Sequence, residues 1–287
     1  MMLNPILRRE ARTSLRSWKI FLVICLYVGF IAGVSYLFLK VSMWSSVYSG
    51  FDPKSVIALY ALLSGFQFGA ILIITPALTS GSISGERERQ TLDLLIVTKM
   101  KPFSIVFGKL VSGIGIILLL IIATMPVYAV MFYFGGVKIT DILVMTGFVL
   151  ATSCFVGSMS IMFSSVYKKT IVSMIVVYII TGFLCFGTWI LLLVYHGVYI
   201  QGYLELYDYF SIKAFYGTMF LNPAAGFFSL VDSQLGTGIF SQLIYNYGSG
   251  TAAIVPIWIV NIIAELVFSV IFLKIAAARI NPLNKRK

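Results

Sequence analysis

Six apolar runs govern what this chain can fold into, at about 20–39, 56–80, 108–134, 142–166, 171–194 and 252–276. Each has roughly the 20 residues that a helix needs to cross a ~30 Å hydrocarbon core. Lipid offers backbone N–H and C=O groups no partner, so only helices and closed barrels span it. The alternation over ~10-residue segments that marks a barrel strand is absent. The expected fold is therefore an all-α polytopic membrane protein, with six transmembrane helices in a single transmembrane domain over residues 1–287. The 60% hydrophobic content agrees, since soluble domains hold about 45–50%. The first run is too long for a signal-peptide core and lacks a convincing cleavage site, so it is expected to be retained.

Charge orients the spans. With the N-terminus inside, segments 1–19, 81–109, 167–170 and 274–287 carry five, five, two and five of the 21 Lys and Arg. The opposite side holds only Lys40, Lys54, Lys138 and Lys213. That asymmetry predicts an N-in/C-in topology. The net charge of +11 thus serves topology and contact with anionic lipid, not nucleic acid. Cys25, Cys154 and Cys185 all fall inside apolar spans and read as small buried hydrophobes, not as a disulfide framework.

Before the first span, Leu3, Leu7, Ala11, Leu15 and Trp18 recur at three- or four-residue spacing. Arg8, Arg12, Arg16 and Lys19 recur on another face. Residues 1–19 therefore read as a basic amphipathic elbow helix in the membrane interface, with Trp18 at headgroup depth. A purely topogenic flank is the plainer reading.

A charged island separates the second and third spans, Glu86-Arg-Glu-Arg-Gln-Thr-Leu-Asp-Leu-Leu-Ile96 and onward to Lys101. Ser84 reads as the N-cap of a helix over 84–101, with Glu86 and Glu88 in its first turn, where the helix dipole favours acids. Leu92, Leu95 and Ile96 form its apolar stripe, and Pro102 is expected to end it. Lys109, just inside the next span, is placed to snorkel. A solvated connector is the plain alternative.

The order of residues here resembles the ABC-2 class of ABC-transporter permeases. That family carries a segment of the form E-R-E-x-G-T-L-E-x-L-L-x-T-P, followed by G-K. Glu86, Arg87, Glu88, Thr91, Leu92, Leu95, Thr98, Gly108 and Lys109 match it. Gln90 stands where Gly is usual, Asp93 where Glu is usual and Lys99 where Pro is common. Asn4-Pro5 and Glu10 also look like the family's N-terminal elbow.

The resemblance implies a cytosolic coupling helix that docks in a groove of a separate ATP-binding subunit. Glu86, Arg87, Glu88, Arg89, Thr91, Leu92, Asp93, Leu95 and Ile96 are the expected contacts. A short helix with an apolar flank suits such a groove. Two ATP-binding subunits per complex and a second permease subunit, identical or homologous, are implied with it. So is export.

No phosphate loop of the form G-x-x-x-x-G-K-[ST] occurs, so ATP and magnesium are expected on the partner, with no cofactor bound by this chain. His196 is the sole histidine, which rules out a multi-histidine metal site, and no catalytic constellation is visible. The chain is not expected to be an enzyme by itself. The expected location is the plasma membrane, in a bacterium the cytoplasmic membrane.

Glu265 is the only acid deep within a span, and Asn261 lies one turn before it. A carboxylate in hydrocarbon is costly and needs a partner, a proton or a pathway. Glu265, Asn261 and Gln67 are the pathway candidates, although a structural hydrogen-bond clamp for Glu265 and packing for Gln67 are the plainer readings. Pro126 and Pro256 are expected to kink spans three and six, and Gly113, Gly115, Gly157, Ser158 and Ser160 to allow close helix contact.

Segment 195–251 reads as an extracellular or re-entrant stretch. Asn222-Pro223 opens a short helix to about Leu235, and short outer-leaflet helices are expected before the last span. Tyr199, Tyr203, Phe227 and Phe228 are candidates for an outer gate, against the plainer reading of an interfacial aromatic belt. Nearly uncharged aromatic walls favour an amphipathic or hydrophobic substrate: a peptide, a drug or a lipid. A motor-independent secondary carrier using Glu265 for proton or cation coupling is the competing expectation, and a membrane scaffold or sensor a third.

Overall fold

A computed structural model describes residues 18–49, 53–91, 102–191, 194, 217, 219–236, 238 and 255–280. These residues are nearly all helical: α1 Trp18–Ser49, α2 Pro53–Thr79, α3 Gly81–Glu88, α4 Pro102–Tyr133, α5 Ile139–Val166, α6 Thr170–Gly182, α7 Pro223–Leu235 and α8 Ile257–Ile280. A π-helical turn, Phe183–Gly187, extends α6. Among the described residues, six helical stretches are long and apolar enough to cross a membrane. Residues 1–17, 92–101, Tyr199 and Tyr203 lie outside the described residues, and with them Leu7, Arg8, Arg12, Leu15, Arg16, Leu92, Asp93, Leu95 and Ile96 of the expected sites. Trp18 opens α1 and is 75% exposed.

The bundle is built around α5. Two-thirds of its apolar window is buried, against 11% for α1. Its inward face is small: Ala151, Thr152, Ser153, Gly157, Ser158, Ser160, Ser164 and Ser165 are all buried. Small side chains let backbones approach, and van der Waals packing then holds helices together where lipid removes the hydrophobic drive. A Cβ at Gly157 would stand 2.9 Å from Leu110, and one at Gly113 would stand 2.7 Å from Thr79. Gly115 faces open space instead. The most extensive pairing is α5 with α8.

Three boundaries differ from the sequence reading. First, α2 runs on almost without a break into α3, a 34-residue stretch from Ser55 to Glu88. At 1.5 Å per residue it extends ~50 Å and outruns the ~30 Å hydrocarbon core. Ser84 is consequently no N-cap but a buried residue inside α3. Second, Pro102 starts α4 and does not end a preceding helix. Its missing N–H costs nothing at a helix's first position. Third, Pro256 precedes α8, whose first turns bond back to its carbonyl, so it caps the start and makes no kink. Pro126, by contrast, lies inside α4.

Asn222 caps α7 through a hydrogen bond from Ala225 N to its Oδ1 (3.0 Å), with Pro223 at the first helical position. Gly236 closes the helix with φ 65°, a conformation in which glycine has no Cβ to clash. The helix is packed into the bundle: Phe227 and Leu230 join Phe68, Ile117, Ile121 and Phe148 in one core cluster.

Candidate functional site

Glu86, Arg87 and Glu88 occupy the last turn of α3, not the first turn of a new helix. The dipole disfavours acids there, and both carboxylates are held by specific partners. Lys109 Nζ donates to Glu86 Oε1 at 2.6 Å. Lys109 sits two turns into α4 with its side chain 4% exposed, so it pairs inward and does not snorkel. Glu88 accepts from Thr170 N (2.8 Å) and Thr170 Oγ1 (3.1 Å). It thereby caps the N-terminus of α6, where a negative charge is favoured. Arg87 donates to the carbonyls of Ser165 (3.1 Å) and Tyr167 (3.3 Å) at the C-terminal end of α5. Those carbonyls have no intrahelical partner, and a cation is the favourable group to meet them.

Ser164 adds a fourth tie. Its hydroxyl accepts from Ile83 N (3.0 Å) and Ser84 N (2.9 Å). Residues 83–88 thus join α3 to the ends of α4, α5 and α6 at one joint. Chain reversal follows at once. Gln90 N donates to Arg87 O (3.1 Å) and Thr91 N to Glu86 O (2.9 Å), the paired bonds of a Schellman cap. Gln90 takes φ 58° to make it, which gives a physical reason for glycine at this place in the E-R-E-x-G-T pattern. Arg89, Gln90 and Thr91 are exposed.

A second feature lies higher in the bundle. A groove of about 710 Å³ runs between α2, the α6–π segment and α7. Phe66, Tyr178, Phe186, Phe227 and Phe228 line it, with Phe186 73% and Phe228 52% exposed, so it opens outward. Gly65, Gly69 and Gly182 also line it, and a Cβ on any of them would meet nothing within 4 Å. Missing side chains therefore carve the groove. Phe227 stacks on Phe68 at 4.6 Å, and Tyr178 OH ties α6 to the Ile73 carbonyl at 2.7 Å.

Of the three pathway candidates, Asn261 and Glu265 share the buried face of α8, while Gln67 stands apart from them. Gln67 accepts from Tyr128 OH at 2.5 Å, between α2 and α4. Asn261 Nδ2 donates to the carbonyls of Phe220 (3.0 Å) and Asn222 (3.1 Å), which docks the start of α7 on α8. Glu265 is fully buried and accepts from Thr152 Oγ1 at 3.0 Å. None of the three lines the groove. Phe227 and Phe228, the gate candidates within the described residues, do.

Sequence reasoning left Lys109 out of the contact set, although the G-K pair marked it. Ser164, Ser165, Tyr167 and Thr170 carried no signal, because their roles depend on where α5 ends relative to α3. Among the described residues no cluster of His, Cys, Asp and Glu is fit to hold a metal ion.

A protein-family model described as ABC-2 family transporter protein matches residues 4–276. Comparison with curated proteins finds no match.

Proposed function

The chain belongs to the ABC-2 family of transporters, matched over nearly its whole length, and on that premise we propose that it is the permease subunit of an ATP-driven exporter. The family is multi-pass, and its permeases normally work with a separate ATP-binding subunit. In this reading, two such subunits dock on the island around residues 84–101, on the cytosolic side that the Lys and Arg distribution assigns. ATP and magnesium act there and not on this chain. The host membrane is the plasma membrane, the cytoplasmic membrane in a bacterium.

The observation that carries the reading is the joint at Glu86-Arg87-Glu88. Displacement of the exposed turn 89–91 is passed to α4 through Lys109, to α5 through the Ser165 and Tyr167 carbonyls and to α6 through Thr170. These residues of α3 therefore transmit force, while Arg89 to Ile96 offer the surface for docking. The groove supports an apolar or amphipathic substrate, since its walls are aromatic and aliphatic and a charged cargo would leave its charge unpaired there. It opens on the outside of a single chain, so a second permease chain, identical or homologous, completes the pathway. Phe227 and Phe228 then stand at its wall as the gate.

The test is co-purification in mild detergent with ATPase activity assayed on the eluate. An ATP-binding protein should accompany the wild type and be lost with Leu92→Asp. With Glu88→Gln it should stay bound while transport falls, because docking survives and the α6 cap is weakened. Recovery of the chain without any ATPase, even after crosslinking, sinks the proposal.

A further inference from the structure

Glu265 presents a problem that the transport reading does not touch. It sits in the α5–α8 seam with no exposed surface. Thr152 donates to one carboxyl oxygen, and the other, Oε1, has no hydrogen-bond partner. Ser269 Oγ, the nearest hydroxyl along α8, is committed to the backbone carbonyl of Glu265 at 2.7 Å. Among the described residues no basic side chain pairs with the carboxyl; the ion pair of Lys109 is with Glu86. The titratable groups within electrostatic reach of it on the packed elements are the thiols of Cys154 on α5 and Cys185 in the π turn, and neither supplies positive charge. An ionised carboxylate in these surroundings would lose its hydration and gain only one neutral hydrogen bond in return.

A second buried oxygen is in the same position. Asn261, one turn before Glu265 on the same buried stripe, uses its Nδ2 on two carbonyls, and its Oδ1 is left without a donor. The amide orientation is fixed by those carbonyls, since a flipped amide would set oxygen against oxygen. Two buried acceptors one turn apart on α8 are thus left without a donor. Residues four apart on a helix are neighbours.

We infer that Glu265 is a proton-binding site of the assembled bundle: the carboxyl takes up one proton from water as the seam closes, becomes neutral, and uses the new O–H to donate to Asn261 Oδ1. One proton removes the charge from the seam and supplies the missing donor. The neutral carboxyl then links Thr152 on α5 to the Asn261 amide, which itself holds the start of α7. The site is a neutral clamp between α5, α7 and α8. It is not a wall of the groove.

The experiment is infrared spectroscopy of the full chain in lipid nanodiscs at neutral pH. Wild type should show the carbonyl stretch of a protonated carboxylic acid, and Glu265→Gln, which keeps the shape and supplies a donor, should lose it while retaining wild-type thermal stability. Thr152→Val, which leaves Glu265 in place, should shift that same band by removing the hydroxyl from its other oxygen. This second variant decides the matter if Glu265→Gln fails to fold. A band that neither variant loses or shifts overturns the inference, as does a wild-type spectrum without one. None of these readouts depends on an ATPase partner or on transport.

Discussion

Replacing Glu86 by Gln or its partner Lys109 by Met should each destabilise the protein more than both changes made together, because either one alone leaves an orphan charge. Lys109 is 4% exposed and Glu86 24%, but Glu86 Oε2 is itself buried without a hydrogen-bond partner. Glu86→Gln leaves an ammonium facing a neutral amide in a closed site. Removing one member of a buried pair costs about 3–5 kcal/mol, and the partly open setting places this case near 3. Lys109→Met leaves a carboxylate with one oxygen already buried and partnerless and the other stripped of its cation, at a similar cost of about 3 kcal/mol. The double variant carries neither orphan charge and should cost less than either single change, which gives a coupling of at least about 3 kcal/mol. Denaturation in mixed micelles, followed by circular dichroism, measures all four proteins. If the double variant costs as much as the two single changes summed, the pair is not desolvated and the joint at α3 is not built as argued.

Three further outcomes follow from the same geometry. Gln90→Gly should stabilise the α3 turn by about 0.5–1 kcal/mol, since a side chain at φ 58° costs ~1–2 kcal/mol and part of that gain is lost to glycine's freedom in the unfolded chain; a thermal melt that falls would contradict it. Gly69→Leu should fill the groove without unfolding the bundle, because open space surrounds its Cα and leucine gains about 0.8 kcal/mol of helix propensity over glycine. Transport should be lost while melting temperature and ATPase recovery hold, and unchanged transport would remove the groove from the pathway. Asn222→Ala should cost about 2–3 kcal/mol by chemical denaturation, as it deletes the α7 cap together with the buried bond to Thr188 at 2.7 Å; a cost under about 0.5 kcal/mol would mean that α7 is not docked through this residue.

The sequence alone determined the class of fold, because hydrocarbon leaves so few solutions: six runs of sufficient length must be six helices. It also marked the charged island and the Asn222-Pro223 helix start, since both are signals carried by adjacent residues. Glu265, the sole acid deep within a span, was marked by its chemical incongruity. Tertiary structure decided the rest. Whether Glu86 and Glu88 begin a helix or end one turns on α2 running on into α3 without a break, and no local propensity encodes that. The partners of the E-R-E triplet lie 23 to 82 residues away, so they exist only once α4, α5 and α6 have packed around Gly113 and Gly157. Likewise the groove is a place where three helices do not fill space: its glycines are ordinary in sequence, and the void appears only when their neighbours are in position.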